Sequence, residues 1–141
     1  MRLSANPSDE AIELLKEIRE KINWFYLSAN PNDEAIELLK ANLQKIYWHW
    51  LSSNPVAIEL LKANRNKINW DALSENPSAI ELLKKSKTKI NREFLSENPV
   101  TIELLKAIIN KENELSEDEL KKLCYSNKIN WRYFIKKSSY F

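Results

Sequence analysis

Apolar residues recur along this chain at helical spacing, in copies of one short unit. In residues 51–77, LSSNPVAIELLKANRNKINWDALSENP, the positions Ala57, Ile58, Leu60 and Leu61 line one side of a helix, and Ile68 follows beyond a turn. The Asn-Pro pair ahead of this run recurs at Asn6-Pro7, Asn30-Pro31, Asn54-Pro55, Asn76-Pro77 and Asn98-Pro99, at spacings of 24, 24, 22 and 22 residues. Repetition at so short a period is the mark of a solenoid, whose units bury their apolar faces only against their neighbours. The predicted fold class is all-α, an α-solenoid of about five short αα-hairpins. The tandem repeats occupy residues 1–111, and residues 112–141 form a divergent C-terminal cap and basic tail in the same domain.

Each copy is expected to hold two helices. The longer, B, is expected to start at Asn-Pro, with asparagine as N-cap and proline at the first helical position, where its missing N–H costs nothing. Asn42 and Asn64 fall at the end of B, where a left-handed residue is wanted and the chain has no glycine to offer; Ile18 and Ser86 take that place in other copies. The shorter helix, A, starts at Ile-Asn-Trp. With Asn69 as its cap, Ile68 and Leu73 stand in the hydrophobic-staple relation, repeated as Ile22/Leu27, Ile46/Leu51, Ile90/Leu95 and Ile129/Phe134. A helix of six or seven residues is too short to persist alone, so neighbouring copies must hold it.

Two copies carry two additional residues, Pro7-Ser-Asp-Glu-Ala11 and Pro31-Asn-Asp-Glu-Ala35 against Pro55-Val-Ala57, and the insertion is expected to lengthen the corner between A and B. After Lys111 the period breaks. Ser116-Glu-Asp-Glu119 is a capping box opening a further helix through about Tyr125, and Ile129-Asn130-Trp131 starts a last helix A.

Charge changes the picture mainly by its placement. The net charge is +2, yet residues 1–60 hold 6 basic and 9 acidic side chains and residues 61–141 hold 16 and 11. The end of the chain offers Lys121, Lys122, Lys128, Arg132, Lys136 and Lys137 with no acid after Leu120, a tail that suits nucleic acid or another acidic partner, or simply a solvated cap. The lone cysteine, Cys124, excludes an internal disulfide. With no membrane-length apolar run and no signal-peptide pattern at its start, the chain is expected in the cytoplasm.

Aligning the copies sorts candidate functional residues into columns. One reads Trp24, Trp48, Trp70, Arg92, Trp131: a stacking ladder, a row of peptide anchors, or packing between copies. An arginine in it implies a column only partly buried. The next reads Phe25, His49, Asp71, Glu93, Arg132 and varies freely, as an exposed recognition position does. A third, Tyr26, Trp50, Ala72, Phe94, Tyr133, is mostly aromatic and is assigned to the core. Phe25, His49 and Trp50 are expected to be exposed, making the first two helices A the best interaction patch.

Glu13, Glu37, Glu59, Glu81 and Glu103 each precede by three residues a lysine, Lys16, Lys40, Lys62, Lys84 and Lys106. Such pairs neutralise the face of B and make it a poor phosphate track. No histidine recurs with the serine column, Ser4, Ser28, Ser52, Ser74 and Ser96, whose hydroxyls are read as bonding nearby backbone. With one histidine, one cysteine, no metal-ligand spacing and no glycine-rich loop, neither catalysis nor a cofactor or metal is expected.

The phrase L-S-x-N-P-x-A-I-E-L-L-K-x-N-x-x-K-I-N-W, carried by Leu51–Lys62 and Lys67–Trp70, resembles repeats of uncharacterised proteins of giant DNA viruses, of the mimivirus and chlorella-virus kind. The resemblance covers residues 3 to about 107 and returns at Lys128–Trp131, with departures at Ile18, Tyr47 and Arg92. It implies a viral repeat protein of binding or scaffold type, in host cytoplasm or virion.

The function expected is therefore a non-enzymatic scaffold for protein–protein interaction. Its candidate contact residues are Trp24, Phe25, Trp48, His49, Trp50, Trp70, Arg92, Trp131 and Arg132. Two alternatives stand beside it: nucleic-acid binding through the Trp/Arg column and basic tail, and a structural part of a larger array or virion.

Overall fold

The computed structural model describes residues 2–91 and, singly, Asn98, Asp118, Lys121, Lys122 and Tyr125. The expectations at Arg92, Cys124, Lys128, Trp131, Arg132, Lys136 and Lys137, together with the fifth helix B and most of the C-terminal cap, lie outside those residues. Within the expected helix ending near Tyr125, Asp118, Lys121, Lys122 and Tyr125 are helical and exposed.

The described residues are all-α, with short helices at a repeating spacing and no strand. A 3-10 turn at Arg2–Ala5 is followed by α1 (Asp9–Glu17), α2 (Trp24–Ser28), α3 (Asp33–Lys40), α4 (Trp48–Ser53), α5 (Ile58–Ala63), α6 (Trp70–Glu75) and α7 (Ile80–Lys85). Between each helix B and the next residues of the chain sits a 3-10 turn, at Arg19–Lys21, Leu43–Lys45, Arg65–Lys67 and Lys87–Lys89, an element the periodicity did not announce. The chain divides into two compact units, residues 1–72 and 73–141.

In the first unit the core forms from the expected apolar face. Ile12, Leu15, Leu27, Leu39, Leu51 and Leu61 are fully buried, and Ile22, Ile46 and Ile68 close the 3-10 turns from inside. Ile58, expected on that face, is only half-buried. Leu14 is 45% exposed although Leu38 and Leu60, at the same position in the following copies, are buried.

Helix A starts as its sequence dictates. The Asn23 side chain accepts from Tyr26 N–H at 3.3 Å and the Asn69 side chain from Ala72 N–H at 2.9 Å.

Helix B starts differently from the expectation. In the four described helices B the asparagine of Asn-Pro is no N-cap, and proline lies ahead of the helix. Asn6, Asn30 and Asn54 each turn the side-chain oxygen onto the N–H two residues on, at Ser8, Asn32 and Val56 (3.0, 3.0 and 3.2 Å), an Asx turn around the proline. The amide nitrogen then reaches back a whole copy. Asn30 Nδ2 donates to the carbonyls of Ser4 and Asn6, both at 3.0 Å, and Asn54 Nδ2 to those of Ser28 and Asn30 at 3.1 and 2.8 Å. Asn30 and Asn54 are 2% exposed, so these bonds satisfy buried groups and stitch successive corners together.

The serine column supplies a second stitch. Ser28 and Ser52 donate to the carbonyls of Trp24 and Trp48 (2.8 and 2.7 Å), the local bond expected of them. Their oxygens also accept from the backbone N–H that opens the next helix A: Tyr47 N to Ser28 at 3.0 Å and Asn69 N to Ser52 at 2.9 Å, as Asn23 N does to Ser4 at 2.9 Å.

Two further expectations are corrected. Asn42 and Asn64 are not left-handed: their φ values are −139° and −130°, and Ile18 has −113°. A β-branched residue fits there for that reason, and the asparagines act instead through Nδ2, donating to Leu38 and Leu60 carbonyls at 2.8 and 2.9 Å. The two-residue insertion lengthens helix B, not the corner, since α1 and α3 have 9 and 8 residues against 6 in α5. The inserted segments bring their own caps: Ser8 accepts from Ala11 N–H, and Asn32 from Glu34 and Ala35 N–H. Asn32 also donates to Pro7 O and Asp9 Oδ1, both at 2.8 Å. Asn32→Ala is therefore expected to cost about 2 kcal/mol in urea unfolding and Ser8→Ala about 1 kcal/mol; equal losses would show that the cross-copy bonds of Asn32 add nothing.

In the second unit, Leu82 and Leu83 of α7 are buried, and the same stitches recur. Asn91 N donates to Ser74 Oγ at 2.9 Å, Asn98 Nδ2 to the carbonyls of Ser74 and Asn76 at 2.9 and 3.1 Å, and Ser78 N to Asn76 Oδ1 at 3.0 Å.

Candidate functional site

Because α2 and α4 are so short, and Leu27, Ser28, Leu51 and Ser52 take their inward positions, the residues opening each helix are left at the surface. Trp24, Trp48 and Trp70 are half-buried, in keeping with a partly covered column. His49 and Asp71 are exposed; Phe25, expected to be exposed, is half-buried because three neighbouring rings cover it. Among the described residues of the third column two are not core: Tyr26 is 45% and Trp50 39% exposed, while Ala72 is buried. At that position the helix turns outward, so a large ring stays in solvent and a methyl group tucks under.

These rings gather on the first unit. Phe25 is the hub, with Trp50 at 5.1 Å, Tyr26 at 5.2 Å and Tyr47 at 5.6 Å between ring centroids, all edge to face; His49 meets Trp50 likewise at 5.4 Å. The structure thus brings together Phe25, His49 and Trp50 of the expected set and adds Tyr26 and Tyr47. Trp24 stands beside them under Lys45, whose Nζ lies 4.8 Å from the indole centroid.

Tyr47 is the residue the sequence reading passed over. It stands where other copies have the helix A cap asparagine, makes no side-chain cap bond, and is 52% exposed. The corner tolerates it because the stitch to Ser28 uses the backbone N–H alone. The signal was present as a departure from the repeat: a cap exchanged for a large ring stabilises nothing at the helix end. Lys45 was also passed over; it belongs to the lysines that precede each Ile-Asn-Trp or its variant, Lys21, Lys45, Lys67, Lys89 and Lys128.

Two clefts flank the cluster. One, of about 600 Å³, runs along residues 22–25 and 44–47. The other, of about 520 Å³, lies between Arg2, Ala5, Asn6 and Tyr26.

Helix B carries the expected ion pairs, Lys16–Glu13, Lys40–Glu37, Lys62–Glu59 and Lys84–Glu81 at 2.6, 2.5, 2.7 and 3.5 Å. Lys16 also reaches Glu34 of the next copy at 2.8 Å. The hydrogen bonds that Lys16 donates to Glu13 and then Glu34 hold its pKa above the ordinary lysine value. The pairs are exposed and contribute little to stability. Among the described residues no group of three or more His, Cys, Asp or Glu is placed to hold a metal, and no helix is long and apolar enough to cross a membrane.

Compared with protein-family models, with characterised proteins and with solved structures, the chain matches none.

Proposed function

We propose that the chain is a non-enzymatic α-solenoid scaffold that binds another protein through the aromatic edge of its first two complete copies. The observation that carries this reading is the surface cluster of Phe25, Tyr26, Tyr47 and Trp50, in which one ring replaces a helix cap. Exposed aromatic groups packed on one another expose apolar area at the expense of solubility, and such residues dominate the centres of protein interfaces. The stitched corners would keep this edge rigid, so little ordering entropy is lost on binding. A nucleic-acid groove fits less well. The rings meet edge to face instead of offering parallel faces, and Lys45 occupies a face of Trp24.

The test is affinity capture with Tyr26→Ser/Trp50→Ser, both at exposed positions, against wild type and a Lys40→Ala control on helix B. Since the repeat resembles those of giant DNA viruses, infected host cells are the extract to use. The double variant is expected to keep its helical circular dichroism and lose a captured protein that the control retains. An unchanged capture profile, or recovery of nuclease-sensitive material alone, would overturn the assignment.

A further inference from the structure

We infer that the partner of this edge is an acidic peptide segment: an extended stretch carrying an apolar or aromatic side chain flanked by carboxylates. This rests on the interaction surface proposed above and adds the chemistry of what it takes.

The argument begins with the charges around the cluster. Each flanking cleft contains one charged side chain, and both are cations: Lys45 beside Tyr47 and Arg2 beside Tyr26. Neither has an ion pair among the described residues, whereas Lys16, Lys40, Lys62 and Lys84 of helix B are matched to glutamates. Of the ten acids of the first unit seven lie on its first two helices B, with Asp9, Glu10, Glu13 and Glu17 in α1 and Asp33, Glu34 and Glu37 in α3; Glu20, Glu59 and Asp71 lie in the turn Arg19–Lys21, in α5 and in α6, and none of the ten lines either cleft. A cation held against an aromatic ring, as Lys45 is over Trp24, keeps N–H donors for an incoming anion. The edge is thus an apolar centre with an unanswered positive charge at either side. The complement is an apolar anchor with negative charge beside it. A nucleic acid would answer the cations but not the apolar centre, whose rings meet edge to face.

The experiment is selection of a random displayed 12-residue peptide library on the full chain, followed by synthesis of the enriched peptides. Their affinities are measured against wild type, Lys45→Glu and Tyr47→Asn, with a fluorescein-labelled single-stranded oligonucleotide as a second probe. Enriched sequences are expected to place Asp or Glu within a few residues of Trp, Phe or Leu. Affinity should fall about tenfold in Lys45→Glu, the size of effect that charge reversal at an interface produces, and as much again in Tyr47→Asn. Peptides that are apolar or basic, bind Lys45→Glu as well as wild type and still fail on Tyr47→Asn would overturn the acidic partner and leave the aromatic surface standing. Peptides indifferent to Tyr47→Asn would overturn both, as would no enrichment. An oligonucleotide bound more tightly than every peptide would overturn the inference in favour of nucleic acid.

Discussion

Asn54→Ala is expected to destabilise the chain by about 3 kcal/mol, far more than an ordinary surface asparagine would. Asn54 is 2% exposed; its amide nitrogen donates to the carbonyls of Ser28 and Asn30, and its oxygen accepts from Val56 N–H. Alanine leaves those three backbone groups without this partner in a space too tight to hydrate freely, at about 1 kcal/mol each. Asn6 is the internal comparison, because it makes the same local turn to Ser8 from an exposed position. Asn6→Ala is expected to cost about 0.5 kcal/mol, as surface substitutions do. Both are read as shifts in the urea midpoint, and equal shifts would dismiss the cross-copy bonds as the source of stability. Asn54→Asp sharpens the test. A carboxylate there would face two carbonyl oxygens, which together with burial raises its folded pKa above the unfolded value. The variant is then nearest to wild type below the unfolded carboxylate pKa and loses ground as pH rises through the folded one. A deficit relative to wild type that is flat with pH would count against this geometry.

Tyr47→Asn should separate stability from binding. Asparagine restores the side-chain cap that Asn23 and Asn69 provide in the neighbouring copies, a gain of about 1 kcal/mol. The same change removes the ring that meets Phe25 at 5.6 Å, a loss of about 1 kcal/mol. The thermal midpoint should therefore move little, while partner affinity falls at least tenfold, about 1.4 kcal/mol, as loss of a central interface tyrosine does. Thermal unfolding and titration of the captured partner measure the two sides. A variant that keeps its affinity removes Tyr47 from the interface; one that unfolds many degrees lower shows that the ring belongs to the packing.

Much of the architecture was legible because repetition reports which positions are equivalent. The buried leucines at 15, 39 and 61, the isoleucines at 22, 46 and 68, and the Asn23 and Asn69 caps fell where the aligned copies placed them. The role of the Asn-Pro asparagine was not legible. A cap three residues from its donor and a bond 24 residues back require the same amide, and a periodic sequence cannot tell one from the other. The left-handed assignment at Asn42 failed for a related reason: the absence of glycine was read as a need for a substitute, whereas the backbone there keeps a negative φ. At the candidate site, His49 and Trp50 are exposed as expected, whereas Phe25 is half-buried under the rings it meets. Tyr26 was misplaced because column composition gives hydrophobicity but not direction, and Tyr47 was missed because a single departure from a repeat reads first as noise.

The asparagine and serine stitches have a consequence for the history of such a chain. Asn30 and Asn54 each donate to the corner behind, and the Asn30 carbonyl in turn accepts from Asn54 of the corner ahead; Asn98 repeats the arrangement on Ser74 and Asn76. The joint is generic, carrying no mark of which copy it belongs to. Gain or loss of a whole copy therefore leaves no orphaned polar group at the new junction, and the array can change length by duplication without inventing a new contact. Individuality is confined to the outer rings and to singular bonds such as those of Asn32, which leaves the recognition edge free to diverge while the joint stays the same.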